Sequence, residues 1–133
     1  MNEASPSKSS ADPLFQPLTI KKLTLKNRIM STSHASGMDD DGIPAERYQR
    51  YHEEKARGGL ALTMFGGSSN VAPDSPSVFD QLRIDNDGVI PHLQAFSNRI
   101  HAQGVALMCQ ITHLGRRGAV SYTHLTLPTI CSV

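Results

Sequence analysis

Two short apolar runs decide the fold: LALTMF at residues 60–65, and VALMCQI at residues 105–111, which leads at once into the polar THLGRR of 112–117. Each run is continuous and of strand length, the pattern of a strand covered on both faces. Between them, residues 89–103 place Leu93, Phe96 and Ile100 on one helical face and stop at Gly104. Ahead of the first run, Pro44 opens another helix, at a position where its missing N–H costs nothing. Tyr48 and Tyr51 recur there at helical spacing, and Gly58-Gly59 ends the segment. Further upstream, RIMST at 28–32 is a candidate strand and Ser36–Gly42 a polar loop. The order strand, helix, strand, helix, strand implies a parallel sheet with right-handed crossovers.

A doubly wound sheet and a (β/α)₈ barrel both begin this way. The GxGxxG fingerprint of the first is absent after every candidate strand. Leu18–Ile20 and Leu23–Leu25, split by Lys21-Lys22, suit a β-hairpin, which is natural as a plug under a barrel. The expected fold is therefore α/β, the N-terminal part of a (β/α)₈ TIM barrel with about three βα units after the hairpin. Gly66 to Asn86, with Pro73 and Pro76, reads as a long polar loop. The organisation expected is a Ser-rich disordered leader over 1–12, a partial barrel over 13–119 and a non-native tail over 120–133. The tail segment VSYTHLTLPT has no charged residue and resembles a translated sequencing-library adapter.

Composition excludes little else. The formal net charge of +1 gives no electrostatic reason for a nucleic acid or an anionic membrane as partner. No apolar run approaches the roughly 20 residues of a membrane span. Cys109 and Cys131 have no zinc spacing, and nothing argues for an oxidising compartment, so the cytoplasm is the expected location. Cys109 reads as a buried thiol, and His52, His92 and His101 as solvent-facing helix residues.

Three blocks in order carry a resemblance: LFQPLTI at 14–20 running on to LKNR at 25–28, then GLAL at 59–62 to Gly66-Gly67, then QITHLGR at 110–116. The chain from Pro13 to Gly118 resembles the Old Yellow Enzyme and NADH:flavin oxidoreductase family, including its 2,4-dienoyl-CoA reductase and trimethylamine dehydrogenase branch. The resemblance implies an FMN-dependent oxidoreductase acting on a small-molecule substrate, with NAD(P)H as reductant. It implies that Thr32, Ser33, His34 and Ala35 lie beside the flavin, that Gly66 and Gly67 admit close backbone approach to it, and that Gln110 hydrogen-bonds its pyrimidine edge. His113 is the substrate-side candidate. A carboxamide offers donor and acceptor together, which suits adjacent C=O and N–H groups on a ring edge. The position matching Ala35 is a flavin-linked cysteine in trimethylamine dehydrogenase, so the alanine implies non-covalent FMN. His34 and the SPSVF loop at 75–79 point to the amine-demethylating branch. A 4Fe-4S cluster and a second flavin domain, where present, belong to a C-terminal part beyond this chain, and the fragment alone is expected to be inactive.

The alternatives differ in class. A non-enzymatic α/β binding module could place His34 and His113 on neighbouring strand ends around a metal, or use Arg116-Arg117 for an anion. Two histidines with no third ligand at a fixed spacing make a poor metal site. A structural domain without ligand is the third reading.

Overall fold

The computed structural model describes residues 12–75 and 81–115. The expected leader up to residue 11, most of the SPSVF loop, Arg116-Arg117 and the expected tail lie outside them.

The chain starts with a 3-10 turn, Pro13–Phe15, capped by the Asp12 carboxylate, which accepts the Leu14 N–H at 2.9 Å. Strands β1 (Leu18–Ile20) and β2 (Leu23–Leu25) form the expected antiparallel hairpin, with Leu18 opposite Leu25 and Ile20 opposite Leu23. Alternation turns Leu25 inward against Ala61 and Leu62. Asn27 of the LKNR block then ties hairpin to barrel: its side-chain amide donates to the Gly59 carbonyl at 2.7 Å, and its oxygen accepts the Ile29 N–H at 3.0 Å.

Strands β3 (Met30–Ser31), β4 (Leu62–Asn70) and β5 (Ala106–Thr112) form a parallel sheet in that order. Helices α1 (Glu46–Arg57) and α2 (Ile90–His101) are the crossovers. Both pack on one core of Tyr48, Ala56, Phe65, Leu82, Phe96, Ile100 and Val105. The fully buried Phe96 ring meets Tyr48 and Phe65 edge-on, with centroids 5.9 and 5.1 Å away. Across the outer surface Arg99 of α2 reaches Glu46 of α1 at 2.8 Å, and this pairing, together with Arg50, holds the Glu46 carboxyl below its usual range.

Three local expectations are corrected. The first strand keeps only two ladder residues of the expected five, because the chain leaves β4 after Ser31. Pro44 does not open α1; the helix begins two residues later, and the Pro44 carbonyl instead accepts the Gln49 side chain at 2.8 Å. The expected loop from Gly66 to Asn86 begins as strand, since Ser69 and Asn70 resume pairing with Ile111 and Thr112. Polar residues can extend a buried strand when the backbone ladder and their own hydrogen bonds are satisfied. The same stretch sends Leu82 into the core. Strand β5 is covered on one side only, as a partial barrel requires. Leu107 and Cys109 pack on the core, while Met108 on the opposite face stays 45% exposed.

Candidate functional site

The candidate residues collect at the C-terminal ends of the parallel strands, the face on which barrel active sites assemble. Thr32, Ser33, His34 and Ala35 follow β3, Gly66 and Gly67 lie in β4, Gln110 lies in β5, and His113 stands just past it. The structure brings Ser33 and Gln110 together directly: the Ser33 hydroxyl donates to Gln110 Oε1. This bond reaches across β4, whose residues at that level are glycine.

The glycines sit in a bulge. Phe65 pairs with Cys109 and Ser69 with Ile111, so residues 66 to 68 oppose Gln110 alone. Gly66, Gly67 and Ser68 all take positive φ, at 110°, 58° and 102°. A Cβ on Gly66 would lie 2.7 Å from the Gln110 carbonyl oxygen, and one on Gly67 would overlap the His34 carbonyl and the Ala35 amide nitrogen. Their missing side chains therefore bring protein backbones together: β4 is drawn against β5 and against the segment after β3.

Helix α1 supports this rim with side chains at helical spacing. The Tyr48 hydroxyl accepts the Gly66 N–H at 3.0 Å. Burial pushes the Tyr48 phenol up to about 12, so it remains neutral at physiological pH. The Tyr51 hydroxyl lies 2.7 Å from His34 Nε2. Lys55 donates to Ser31 Oγ at 3.0 Å, and its ammonium lies 4.2 Å from the Tyr51 ring centroid. The Tyr48–Tyr51 spacing is legible in the sequence; the partners of the hydroxyls are not.

His52 overturns an expectation. It is 1% exposed rather than solvent-facing, because Nδ1 pairs with the buried Thr63 hydroxyl at 2.9 Å and the ring packs on Tyr48 and Phe96. Desolvation, and after it the Lys55 and His34 charges, lower its pKa to about 4. His92 and His101 are exposed, as expected. The depressed pKa makes a prediction with a definite sign. The unfolded chain takes up this proton near pH 6.5 and the folded one only near 4, so the contribution is intact above pH 6.5 and is lost as pH falls toward 4. The difference is about 3 kcal/mol. Denaturant midpoints of the full-length protein between pH 7 and pH 4 should show a smaller decline in His52→Gln than in wild type, and equal declines would refute the assignment.

His113 Nε2 lies 3.4 Å from Asp74, and its Nδ1 accepts the Gly115 N–H at 3.1 Å. His34 and His113 thus engage different partners. Among the described residues no group of three or more His, Cys, Asp or Glu side chains is placed to hold a metal. Cys109 is half-buried, less than the sequence suggests, and burial raises its thiol pKa.

Comparison with known proteins bears on this geometry. The sequence pattern of the NADH:flavin oxidoreductase / NADH oxidase family matches residues 13–128, reaching into the 120–133 segment. A multifunctional alkene reductase/demethylase OYE from Caballeronia cordobensis is 66% identical over 122 residues, 92% of this chain and 18% of that protein. A probable N-methylproline demethylase from Rhizobium meliloti (strain 1021) is 47% identical over 106 residues, 80% of this chain and 16% of that protein. The chain thus spans less than a fifth of the length of these curated relatives. The solved structure of morphinone reductase in complex with tetrahydroNAD matches with a TM-score of 0.71 at 23% identity, over 80% of this chain and 29% of that one. The fold is α/β, the first part of a (β/α)₈ barrel.

Proposed function

The chain belongs to the NADH:flavin oxidoreductase / NADH oxidase family, and from that premise we propose that it supplies the first strand ends of a non-covalent FMN site in an oxidoreductase. The observation that carries this reading is the Ser33–Gln110 bond across the glycine bulge, which orients an exposed carboxamide at the mouth of the strands. Held by its oxygen, Gln110 still has a second lone pair and two N–H donors for the edge of a flavin ring. Thr32, Ser33, His34 and Ala35 would flank that ring on the β3 side, and the backbone of Gly66 and Gly67 would flank it on the β4 side. Ala35 carries no thiol, so no flavin–sulfur bond forms there. When bound, FMN supplies the two-electron redox chemistry; the protein supplies binding and orientation.

For the whole enzyme we assign NAD(P)H or an amine substrate as electron donor. The substrate class is an N-methylated amine or an activated alkene. The names of the two relatives, an alkene reductase/demethylase and an N-methylproline demethylase, support this pair of chemistries, and His113 is the side chain of this segment assigned to the substrate side. Any iron–sulfur cluster or second flavin domain belongs outside this segment. Among the described residues no helix is long and apolar enough to cross a membrane, and a cytoplasmic location is part of the proposal.

The test uses the full-length protein stripped of flavin and titrated with FMN. Gln110→Ala should weaken binding by about 1–3 kcal/mol, the cost of leaving a buried polar partner unmatched. Acid or heat should release the flavin intact. Failure of the wild-type apoprotein to take up FMN would refute the proposal, and flavin that stays attached to denatured protein would contradict the reading of Ala35.

A further inference from the structure

Two phenols on α1, one turn apart, touch both flanks of the strand-end rim. Tyr48 accepts the Gly66 N–H, and Tyr51 pairs with His34 Nε2. The main chain closes the gap between these points. Gly66 is bonded to Gly67, and Gly67 packs on the His34–Ala35 peptide so closely that no Cβ fits. The contacts therefore form a closed circuit, from α1 to the β4 bulge, from the bulge to the segment after β3, and from His34 back to α1.

Core packing does not require either hydroxyl. Tyr48 is buried with its ring against Phe96 and His52, a space phenylalanine would fill. Burying a hydroxyl is unfavourable unless it finds a partner, and the partner it finds is an amide inside the bulge, where the β4–β5 pairing is interrupted. Tyr51 is half-buried, and the Lys55 ammonium over its ring keeps it in place.

We infer that Tyr48 and Tyr51 are positioning residues for the flavin rim, an inference that rests on the FMN reading above. They act through Gly66 and His34. Tyr48 sets the height of the bulge and Tyr51 the orientation of the imidazole, and the circuit fixes the spacing between the two segments that flank the cofactor.

The experiment uses full-length Tyr48→Phe, Tyr51→Phe and the double variant. FMN affinity of each apoprotein is read by quenching of flavin fluorescence, and the absorption spectrum is recorded at saturating FMN. Each single change should weaken FMN about five- to tenfold, the effect of one lost hydrogen bond. The double variant should lose less than the product of the two, because opening the circuit at one link already frees the other. The spectrum of the saturated variants should shift, which a loss of stability alone would not produce. Wild-type affinity in Tyr51→Phe, or single effects that multiply in the double variant, would overturn the inference while leaving the FMN site standing. Tyr51→Phe keeps the ring contacts at a half-buried position, so it decides the matter even where Tyr48→Phe fails to fold. A wild-type apoprotein that ignores FMN removes the premise, and the inference falls with it.

Discussion

Gly67→Ala in the full-length protein is expected to cost about 3–4 kcal/mol of stability and to abolish flavin retention. Two terms add. The residue has φ +58°, where an L side chain pays about 1 kcal/mol or somewhat more. The new Cβ would also overlap the His34 carbonyl and the Ala35 amide, which are backbone atoms and cannot rotate away. Relief requires the segment after β3 to move off β4, which separates the two flanks of the proposed cofactor site. Against a total stability of about 5–15 kcal/mol this loss is severe. Gly37 is an internal control. Its φ is +61°, almost the same, but a Cβ there meets nothing within 4 Å. Gly37→Ala should therefore show only the conformational term and keep its flavin. Chemical denaturation and the flavin-to-protein absorbance ratio of both variants measure the two effects. Equal losses at the two positions would show that the close approach at Gly67 is not what demands glycine.

That contrast also indicates what the sequence could and could not reveal. Elements set by local periodicity were legible. Leu93, Phe96 and Ile100 lie on the buried side of α2, and the Leu18–Ile20 and Leu23–Leu25 pair forms its hairpin in register. Elements set by a distant partner were not. Ser69 and Asn70 look like loop residues, and only the arrival of Ile111 and Thr112 makes them strand. His52 is as polar as His92 and His101, and its burial is decided by Thr63 across the helix–strand interface. Asn27 carries no chemical signature in the LKNR block, yet its bond to the Gly59 carbonyl joins the hairpin to the turn after α1, while its oxygen holds the local Ile29 N–H. The candidate site divides in the same way. Gln110 and the glycine pair stood out through the family resemblance of their sequence blocks, since residue type alone fits a strand-end polar group and a turn equally well. The Ser33–Gln110 bond and the two phenols beneath the rim depend on three strands and a helix meeting, which no single window of sequence contains.

The 133-residue chain expressed by itself is expected to form no cooperatively folded, flavin-binding protein. Among the described residues its parallel sheet has three strands, with β3 at one edge and β5 at the other, and edge strands present unpaired backbone groups that template association. Met30 on β3 and Met108 on β5 are 48% and 45% exposed, so the strand faces away from α1 and α2 are apolar and wet. In a closed barrel of about 250 residues those faces are packed into the interior and no edge remains. Here each exposed side chain forfeits much of the roughly 1.5–3 kcal/mol that full burial gives, and the sum is comparable with the whole margin of a small domain. Leu14, Phe15, Ile20 and Leu23 around the hairpin are exposed as well, which adds a second sticky surface. Flavin binding is expected to fail for a further reason. The rim of Ser33, Gln110 and the glycine bulge can address one edge of a ring, whereas the phosphate in this fold is commonly held by loops after the seventh and eighth strands. Size-exclusion chromatography, thermal denaturation followed by circular dichroism, and FMN titration by fluorescence decide the matter. The expected result is aggregated or non-cooperatively melting protein without bound flavin. A monomer with a sharp thermal transition and micromolar FMN affinity would show that this part of a barrel suffices, and that the exposed faces of β3 and β5 are tolerated without a partner.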